Sequence, residues 1–361
     1  MPAPASSVET RTARPQIGAW GLDLTTQDSS VKPGDDFYRY AEGKWMDANQ
    51  IPPDRTSWTS AAELADRAEH NIRAIVEALP REAPPDSIEQ KVGDYYRAYL
   101  DADTIEHLGL APARPGLEAI AAARTHEQLA TLLGRPDLDL KSPLIIAITI
   151  DQKNPDRYIA VVTQSGLSLP DRDYYLKDEP VFTELRAKYV AHVERMLTLA
   201  GEAHAGAKAA WVLDIETQIA HLHWPAAKRR ERDLTYNLRT RRELEQLEPG
   251  FPWTQVLTAQ GLQSQSEFVV RELDAVQGLA RLFRHIPVER WRAYLEYQYL
   301  AGAADVLPAA FDAERFDFYG HTLNGQPRQR DRWKRAVAAV NLGLGEAIGQ
   351  LYVQQYFPAA A

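Results

Sequence analysis

The histidines are the first residues to test for metal chemistry, because helical zinc hydrolases hold their metal through His-Glu-x-x-His. Two histidines four positions apart share one helix face, and both can then reach the metal. None of the nine histidines in this chain is four positions from another. His126-Glu127 lacks the second ligand, since Ala130 occupies its place. His221 and His223 would point about 200° apart on a helix. We therefore predict no catalytic residue and no metal ligand in this chain.

Other catalytic patterns are also incomplete. The chain has no cysteine, which excludes thiol nucleophiles, cysteine zinc sites and disulfides. The string Gly166-Leu167-Ser168-Leu169-Pro170 differs from the Gly-x-Ser-x-Gly nucleophile turn, because proline fills the last position. Gly343, Gly345 and Gly349 lie in a helical pattern without a preceding strand. We interpret them as sites of close helix packing rather than a dinucleotide loop.

Composition and charge limit the classes of partner that the chain could bind. The chain has 41 basic and 50 acidic residues, a net charge of −9, which disfavours a nucleic-acid partner. Hydrophobic residues make up 45% and charged residues 25%, as in ordinary globular proteins. Residues 1–17 are predicted to be a flexible N-terminus, and the first 14 contain no apolar signal-peptide region. No run of about 18 apolar residues occurs, so we expect no membrane span.

The elements that would position a site are mainly helical. Capping signatures at Ser60, Ser87, Thr125 and Thr240 predict helix starts. Apolar residues at three- and four-residue steps predict long helices near 60–79, 181–200, 205–224, 271–285, 288–302 and 329–351. Two short runs rich in β-branched residues flank Asn-Pro-Asp, which predicts one β-hairpin at about 143–163. A length of 361 allows one very large lobe or two smaller ones.

Several strings, in this order, resemble the neprilysin and endothelin-converting-enzyme family of zinc metallopeptidases, which includes the bacterial PepO-like members. They are Gly21-Leu22-Asp23-Leu24, Val31-Lys32-Pro33-Gly34-Asp35-Asp36-Phe37-Tyr38, Gly43-Lys44-Trp45, Ile51-Pro52, Gln164-Ser165-Gly166-Leu167, Leu169-Pro170-Asp171-Arg172-Asp173-Tyr174-Tyr175-Leu176, Thr235-Tyr236-Asn237, Phe318-Tyr319-Gly320, Gly325-Gln326-Pro327, Arg332-Trp333-Lys334-Arg335 and Gly345-Glu346-Ala347. The resemblance runs from about residue 18 to the end. It implies that residues 18–361 form the large helical N-terminal domain that caps a zinc-binding catalytic domain.

The resemblance also locates what the chain lacks. The family's His-Glu-x-x-His, its third zinc ligand and its substrate clamp would all lie beyond residue 361. We therefore expect no cofactor in this chain, with zinc bound only by a separate catalytic half. Some family members place an arginine after the Ile-Pro pair to hold a substrate's C-terminal carboxylate. That place corresponds to Ser57, followed by Trp58, so these two residues are the candidate substrate-binding positions.

The sequence thus predicts the N-terminal, substrate-enclosing domain of a neprilysin-like metalloendopeptidase that cleaves oligopeptides. Alone it should be inactive, and its partners should be oligopeptide substrates and a catalytic C-terminal half or partner chain. The alternative is a stand-alone peptide-binding or interaction module without peptidase activity. The resemblance implies an exported or periplasmic protein, although the chain shows no signal peptide.

Overall fold

The computed structural model describes residues 23–357, and the predicted flexible segment 1–17 lies outside them. The α-helices of this region are α1 (Phe37–Ala48), α2 (Ser60–Ala78), α3 (Ile88–Leu100), α4 (Ala102–Leu108), α5 (Arg114–Ala122), α6 (His126–Leu133), α7 (Asp173–Leu176), α8 (Pro180–Leu199), α9 (Ala205–Leu222), α10 (Arg241–Leu247), α11 (Trp253–Ala259), α12 (Leu273–His285), α13 (Val288–Ala303), α14 (Ala309–Arg315), α15 (Arg332–Gly343) and α16 (Gly345–Tyr356). Short 3₁₀ turns occupy Leu24–Thr26, Lys228–Arg230 and Ala304–Val306, and a π-helix occupies Phe316–Leu323. The prediction of a mainly helical chain is confirmed.

Side-chain caps fix where several of these helices begin. The Thr240 hydroxyl accepts a hydrogen bond from the Glu243 backbone N–H, and the Glu243 carboxylate accepts one from the Thr240 N–H. Ser87 and Thr125 cap α3 and α6 in the predicted way. The cap predicted at Ser60 is wrong by one residue, because Thr59 Oγ1 accepts from the Ala62 N–H and Ser60 is already helical. Two adjacent hydroxyl residues made the position ambiguous.

The predicted hairpin is part of a larger sheet. Strands β1 (Leu144–Asp151) and β2 (Asn154–Gln164) pair antiparallel, as the sequence indicated. The structure adds β3 (Asn237–Thr240) and β4 (Glu267–Val270), so that the strand order is β1-β2-β4-β3. β4 pairs parallel with β2 and antiparallel with β3. The expectation that the chain is helical outside the hairpin is therefore wrong in these two short segments.

The main hydrophobic core lies where α9 packs against α8, α12 and α13. Its largest buried side chains include Trp291, Tyr189, Tyr294 and Phe283, all completely enclosed. The sheet joins this core through residues such as Phe268. Four buried core members are tyrosines, whose hydroxyls need buried partners, and some of these partners build the cleft described below.

A second, separate core joins α2, α3, α15 and α16. It contains Val76, Val92 and Val340, each almost fully buried. Polar contacts link it to the main core: Arg335 on α15 donates two hydrogen bonds, of 2.8 and 2.7 Å, to the Asp312 carboxylate on α14. The described residues thus form two hydrophobic cores rather than one.

The helix predicted over 329–351 is instead two helices that bend by 107° around Leu344. Leu344 has φ −133° and ψ 33°, outside the helical region, and the flanking glycines favour a break because glycine is a poor helix former. The close-packing interpretation fails for Gly345 and Gly349, which have no neighbour within 4 Å of the place of a Cβ. Among residues 23–357 no single helix is long and apolar enough to cross a membrane, although the bent pair reaches that length and composition jointly.

Candidate substrate-binding cleft

The predicted substrate-binding residues lie in the connection before α2. Ser57 is exposed, and Trp58 is half-buried beneath the Arg55 guanidinium, which lies 5.2 Å from its ring centroid. Ion pairs anchor this connection to the second core: Asp54 accepts from Lys334 Nζ at 3.0 Å, and Arg55 donates to Asp66 at 3.0 Å. The segment is therefore held in place, with Ser57 facing solvent.

A cleft lies elsewhere, beside the start of β1. Its volume is 470 Å³. Its walls come from the loop before β1, the loop after β2, the end of α13 and the π-helix. The residues lining it are Leu133, Asp139, Leu140, Lys141, Ser142, Leu144, Ile145, Ile146, Ser165, Ser168, Gln260, Gln298, Ala301, Gly302, Arg315 and Tyr319. Ser57 and Trp58 are not among them, so the structure does not bring the predicted residues to this cleft.

The loop after β2 is fixed from both sides. Gly166 has φ +98°, a left-handed conformation that glycine adopts without strain, and a Cβ there would lie 2.9 Å from the Pro143 Cα. On the other side, the buried Tyr294 hydroxyl donates a 2.8 Å hydrogen bond to the Gly166 carbonyl. Ser168, two residues further along, is consequently held at a defined position on the cleft wall.

A buried carboxylate organises the floor of the cleft. Glu216, on α9, is completely enclosed and accepts four hydrogen bonds. They come from Ser168 Oγ at 2.6 Å, Tyr175 Oη at 2.7 Å, Tyr189 Oη at 3.0 Å and Gln298 Nε2 at 3.0 Å. Burial raises the pKa of Glu216, and the hydrogen bonds, which favour the ionised form, offset part of that increase. Burial and the adjacent carboxylate raise the pKa of Tyr175 well above its ordinary value.

The π-helix contributes a second polar wall. Its residue Tyr319 lines the cleft and lies 2.9 Å from the buried Tyr297 hydroxyl. Burial raises the pKa of Tyr319 to about 12, so this phenol stays neutral and can donate a hydrogen bond. π-Helical turns are rare and are frequently found at functional sites.

Two cations, Lys141 and Arg315, also line the cleft. Lys141 reaches solvent and donates a 3.2 Å hydrogen bond to the Leu167 carbonyl. The surrounding protein atoms lower the pKa of its ammonium group, Glu216 opposes that shift, and Arg315 adds to it. Arg315 immediately precedes the π-helix. The cleft therefore combines hydroxyl and amide groups with positive charge and an aliphatic wall.

The structure shows where the histidines that were tested for metal chemistry lie. His221 is exposed at the end of α9, whereas His223 is buried with its Nε2 3.0 Å from the Ser165 carbonyl. Burial lowers the pKa of His223 to about 4. His126 Nε2 lies 2.9 Å from the Ile286 carbonyl. Across residues 23–357, no group of three or more histidine, aspartate or glutamate side chains converges in a way that could hold a metal ion. These residues do not fit a zinc site.

Sequence reasoning missed Glu216, Gln298 and Tyr319. Their positions along the chain are far apart, and glutamate, glutamine and tyrosine in helices are ordinary residues. The available signals were the string from Leu169 to Leu176, which follows Ser168 and contains Tyr175, and the string Phe318-Tyr319-Gly320. These strings indicated a family but not a polar network.

Solved structures show the class of protein to which this fold belongs. Zinc metalloprotease Zmp1 of Mycobacterium tuberculosis, solved in complex with an inhibitor, superposes with a TM-score of 0.88 at 34% identity over 93% of this chain. PepO from Lactobacillus rhamnosis has the same fold, with a TM-score of 0.77 at 18% identity over 91% of the chain. Human endothelin-converting enzyme-like 1 is 26% identical over 355 residues, or 92% of the chain. The fold is that of metallopeptidase structures.

The chain belongs to peptidase family M13, whose family model matches residues 33–361. This membership confirms the resemblance to the neprilysin and endothelin-converting-enzyme family. The chain spans about half the length of its relatives: it covers 45% of the human endothelin-converting enzyme-like 1 and 52% of the Zmp1 chain.

Proposed function

We propose that this chain is the N-terminal, substrate-enclosing half of a zinc metalloendopeptidase that acts on oligopeptides. The supporting observation is that the chain aligns over 92% of its own length with 45% of an M13 relative, and that its 361 residues contain no His-Glu-x-x-His. The zinc ion, the water that it activates and the general base would come from a second half. This chain would contribute enclosure and positioning of the peptide.

The arm formed by Leu24–Thr26 and α1 supports the need for a second half. Phe37 and Tyr38 are 69% and 60% exposed, and Leu24 is 69% exposed. The helix buries only Gly43 and packs mainly on its own 3₁₀ turn. Adjacent exposed aromatic side chains are typical of an interface. We propose that the zinc-bearing half covers this arm.

The experiment is to find the segment that carries His-Glu-x-x-His, in the coding sequence that continues this chain or in a neighbouring frame, and to mix the two purified proteins. We expect zinc-dependent cleavage of a quenched fluorescent peptide by the mixture and none by either part alone. Phe37→Ser with Tyr38→Ser should weaken this complementation. Tyr158→Ser, at an equally exposed tyrosine on β2, should leave it unchanged. Stoichiometric zinc and chelator-sensitive turnover in the chain alone would refute the proposal.

The alternative function, a peptide-binding module without activity, draws support from the cleft beside β1. A volume of 470 Å³ with aliphatic, amide and hydroxyl lining is in the range of small-ligand sites. The two functions differ in whether a catalytic partner exists. Peptide binding by calorimetry, combined with failure of every zinc-bearing segment to restore cleavage, would favour the module.

For Ser57 and Trp58 we propose a substrate-facing position with no charged contact to the peptide terminus. A serine hydroxyl cannot replace the bidentate charge pairing of an arginine. The complete enzyme should therefore act as an endopeptidase, without strong preference for releasing C-terminal dipeptides.

A further inference from the structure

The two cations of the cleft beside β1 lack a carboxylate partner. Within the described residues, the Arg315 side chain makes no hydrogen bond or ion pair, and Lys141 has only its hydrogen bond to a carbonyl. Asp139 also lines the cleft but forms no ion pair with either of them. Arg315 acts electrostatically on Lys141, so the two cations lie near each other, and the carboxylate that also acts on Lys141, Glu216, is enclosed and already accepts four hydrogen bonds. Two neighbouring cations without a carboxylate in direct contact, in a concave site, favour an anion.

Several arginines of the chain have carboxylate partners, in keeping with its 50 acidic against 41 basic residues. Arg335 binds Asp312, and Arg157 donates 2.9 and 2.6 Å hydrogen bonds to Asp151 and Glu267. Lys141 and Arg315, by contrast, are exposed, and within residues 23–357 no carboxylate contacts either of them. The geometry therefore indicates a ligand that supplies the negative charge.

The strand beside the cleft indicates the form of that ligand. β1 is an edge strand, paired with β2 on one side only. Its residues Leu144, Ile145 and Ile146 line the cleft, and a neighbouring cleft of 300 Å³ continues along Ile146 and Ile148. An unpaired strand edge offers backbone N–H and C=O groups to an extended peptide. Exposed isoleucines, such as Ile148 at 54%, would contact its apolar side chains.

We propose that an extended peptide binds along the free edge of β1, with a carboxylate held by Lys141 and Arg315. The carboxylate is either the C-terminus of the peptide or an acidic side chain. Tyr319, on the same cleft, can donate a hydrogen bond to the peptide if the Tyr297 hydroxyl donates to it. This inference rests on the proposed function, because it takes a peptide as the ligand, and it adds a preference for anionic peptides.

The test measures fluorescence anisotropy with the 361-residue chain and four fluorescein-labelled hexapeptides of Val, Leu and Ala. One pair differs only in a free or amidated C-terminus. The other pair is amidated and differs only in Glu or Gln at the last position. We expect at least one acidic peptide to bind about tenfold more tightly than its neutral partner, as charge-assisted hydrogen bonds imply. The pair that shows the difference identifies the source of the carboxylate.

Three variants complete the test. Lys141→Met and Arg315→Met should each abolish most of the preference for the acidic peptide while leaving the neutral peptide's affinity unchanged. Arg81→Met, at an exposed arginine between α2 and α3, should keep the preference. Circular dichroism and melting temperature confirm that each variant is folded. Raising the salt concentration should reduce the preference in the wild type, because exposed charges are screened.

Equal affinity for acidic and neutral peptides, an unchanged preference in Lys141→Met and Arg315→Met, or no peptide binding at millimolar concentration would each overturn the inference. None of these results touches the proposed function, which is tested by cleavage with the zinc-bearing half. Conversely, acid-dependent binding without any restored cleavage would reject the proposed function and leave the carboxylate site standing.

Discussion

Replacing Glu216 by glutamine tests whether the buried carboxylate holds the cleft floor together. Glutamine has nearly the same volume but only one oxygen acceptor. If its amide nitrogen takes the place of Oε2, the Tyr175 hydroxyl loses its 2.7 Å acceptor. That hydroxyl already accepts from the Ser168 and Leu169 backbone N–H groups, at 3.1 and 2.8 Å, so it cannot easily turn to accept a third. The opposite amide orientation disturbs three bonds instead of one.

The expected loss of stability follows from the number of hydrogen bonds that the substitution disturbs. A buried donor left without an acceptor costs about 1–3 kcal/mol, and the remaining bonds weaken because their acceptor becomes neutral. Relief from burying a charge offsets part of the loss, since burial raises the pKa of Glu216. We expect the Glu216→Gln variant to lose about 2 kcal/mol of unfolding free energy at pH 7. Glu216→Ala should lose about 3–5 kcal/mol, because it also leaves a cavity and four unpaired donors.

Urea denaturation followed by tryptophan fluorescence measures both variants, since the chain has eight tryptophans. Glu184→Gln on α8 is the matched control: its carboxylate is 69% exposed and pairs with Lys188, so no measurable change in stability is expected. A Glu216→Gln variant as stable as the wild type would refute the reasoning. It would mean that the cleft floor does not depend on a charged acceptor.

Other predictions concern pH, packing and specificity. The pKa of His223 is about 4 in the folded chain against an ordinary 6.5, so the folded state binds fewer protons between these values. Stability should therefore fall by up to about 3 kcal/mol as pH drops from 6.5 to 4, and His223→Gln should flatten this part of a denaturation series measured against pH. Gly134→Ala should lower the free energy of unfolding, measured in urea, by about 2 kcal/mol, because its Cβ would lie 2.5 Å from a backbone carbonyl of α11. Gly349→Ala has no neighbour within 4 Å of its Cβ, so this variant should raise the free energy of unfolding by up to about 1 kcal/mol. In the reconstituted enzyme, Ser57→Arg should raise C-terminal dipeptide release about tenfold by mass spectrometry, and Thr56→Arg should not.

Local signals predicted the helices and the hairpin because each depends on residues close together in sequence. The Thr240 capping box spans three residues, and the apolar stripe of α2 repeats every three or four. β3 and β4 were missed because four residues carry too little periodicity to distinguish a strand from a loop. β4 is a strand because it pairs with β2, about 110 residues earlier in the sequence, and with β3, about 30 residues earlier. Such long-range pairing leaves no local pattern.

The cleft could not be predicted from the sequence for the same reason. Ser168, Glu216 and Gln298 belong to three different elements, and only the packing of α9 against α13 brings them together. The family resemblance identified the loop that carries Ser168, because its string of residues is recognisable without a structure. It could not indicate that the loop ends on a buried glutamate, since an isolated glutamate in a helix gives no sign of being buried.

The hydrogen bonds around Ser168 argue that this cleft positions a ligand rather than cleaving it. A hydroxyl nucleophile needs a base that is free to take its proton. Ser168 donates to Glu216, but that carboxylate accepts three further hydrogen bonds from groups that stabilise its charged form. The Ser168 oxygen also accepts from Gln298 at 2.8 Å, which reduces its nucleophilicity. Within the described residues, no histidine hydrogen-bonds to Ser168. Ser168, Glu216 and Gln298 are thus committed to holding the shape of the cleft floor, which agrees with the proposal that this chain encloses a peptide while another half performs the hydrolysis.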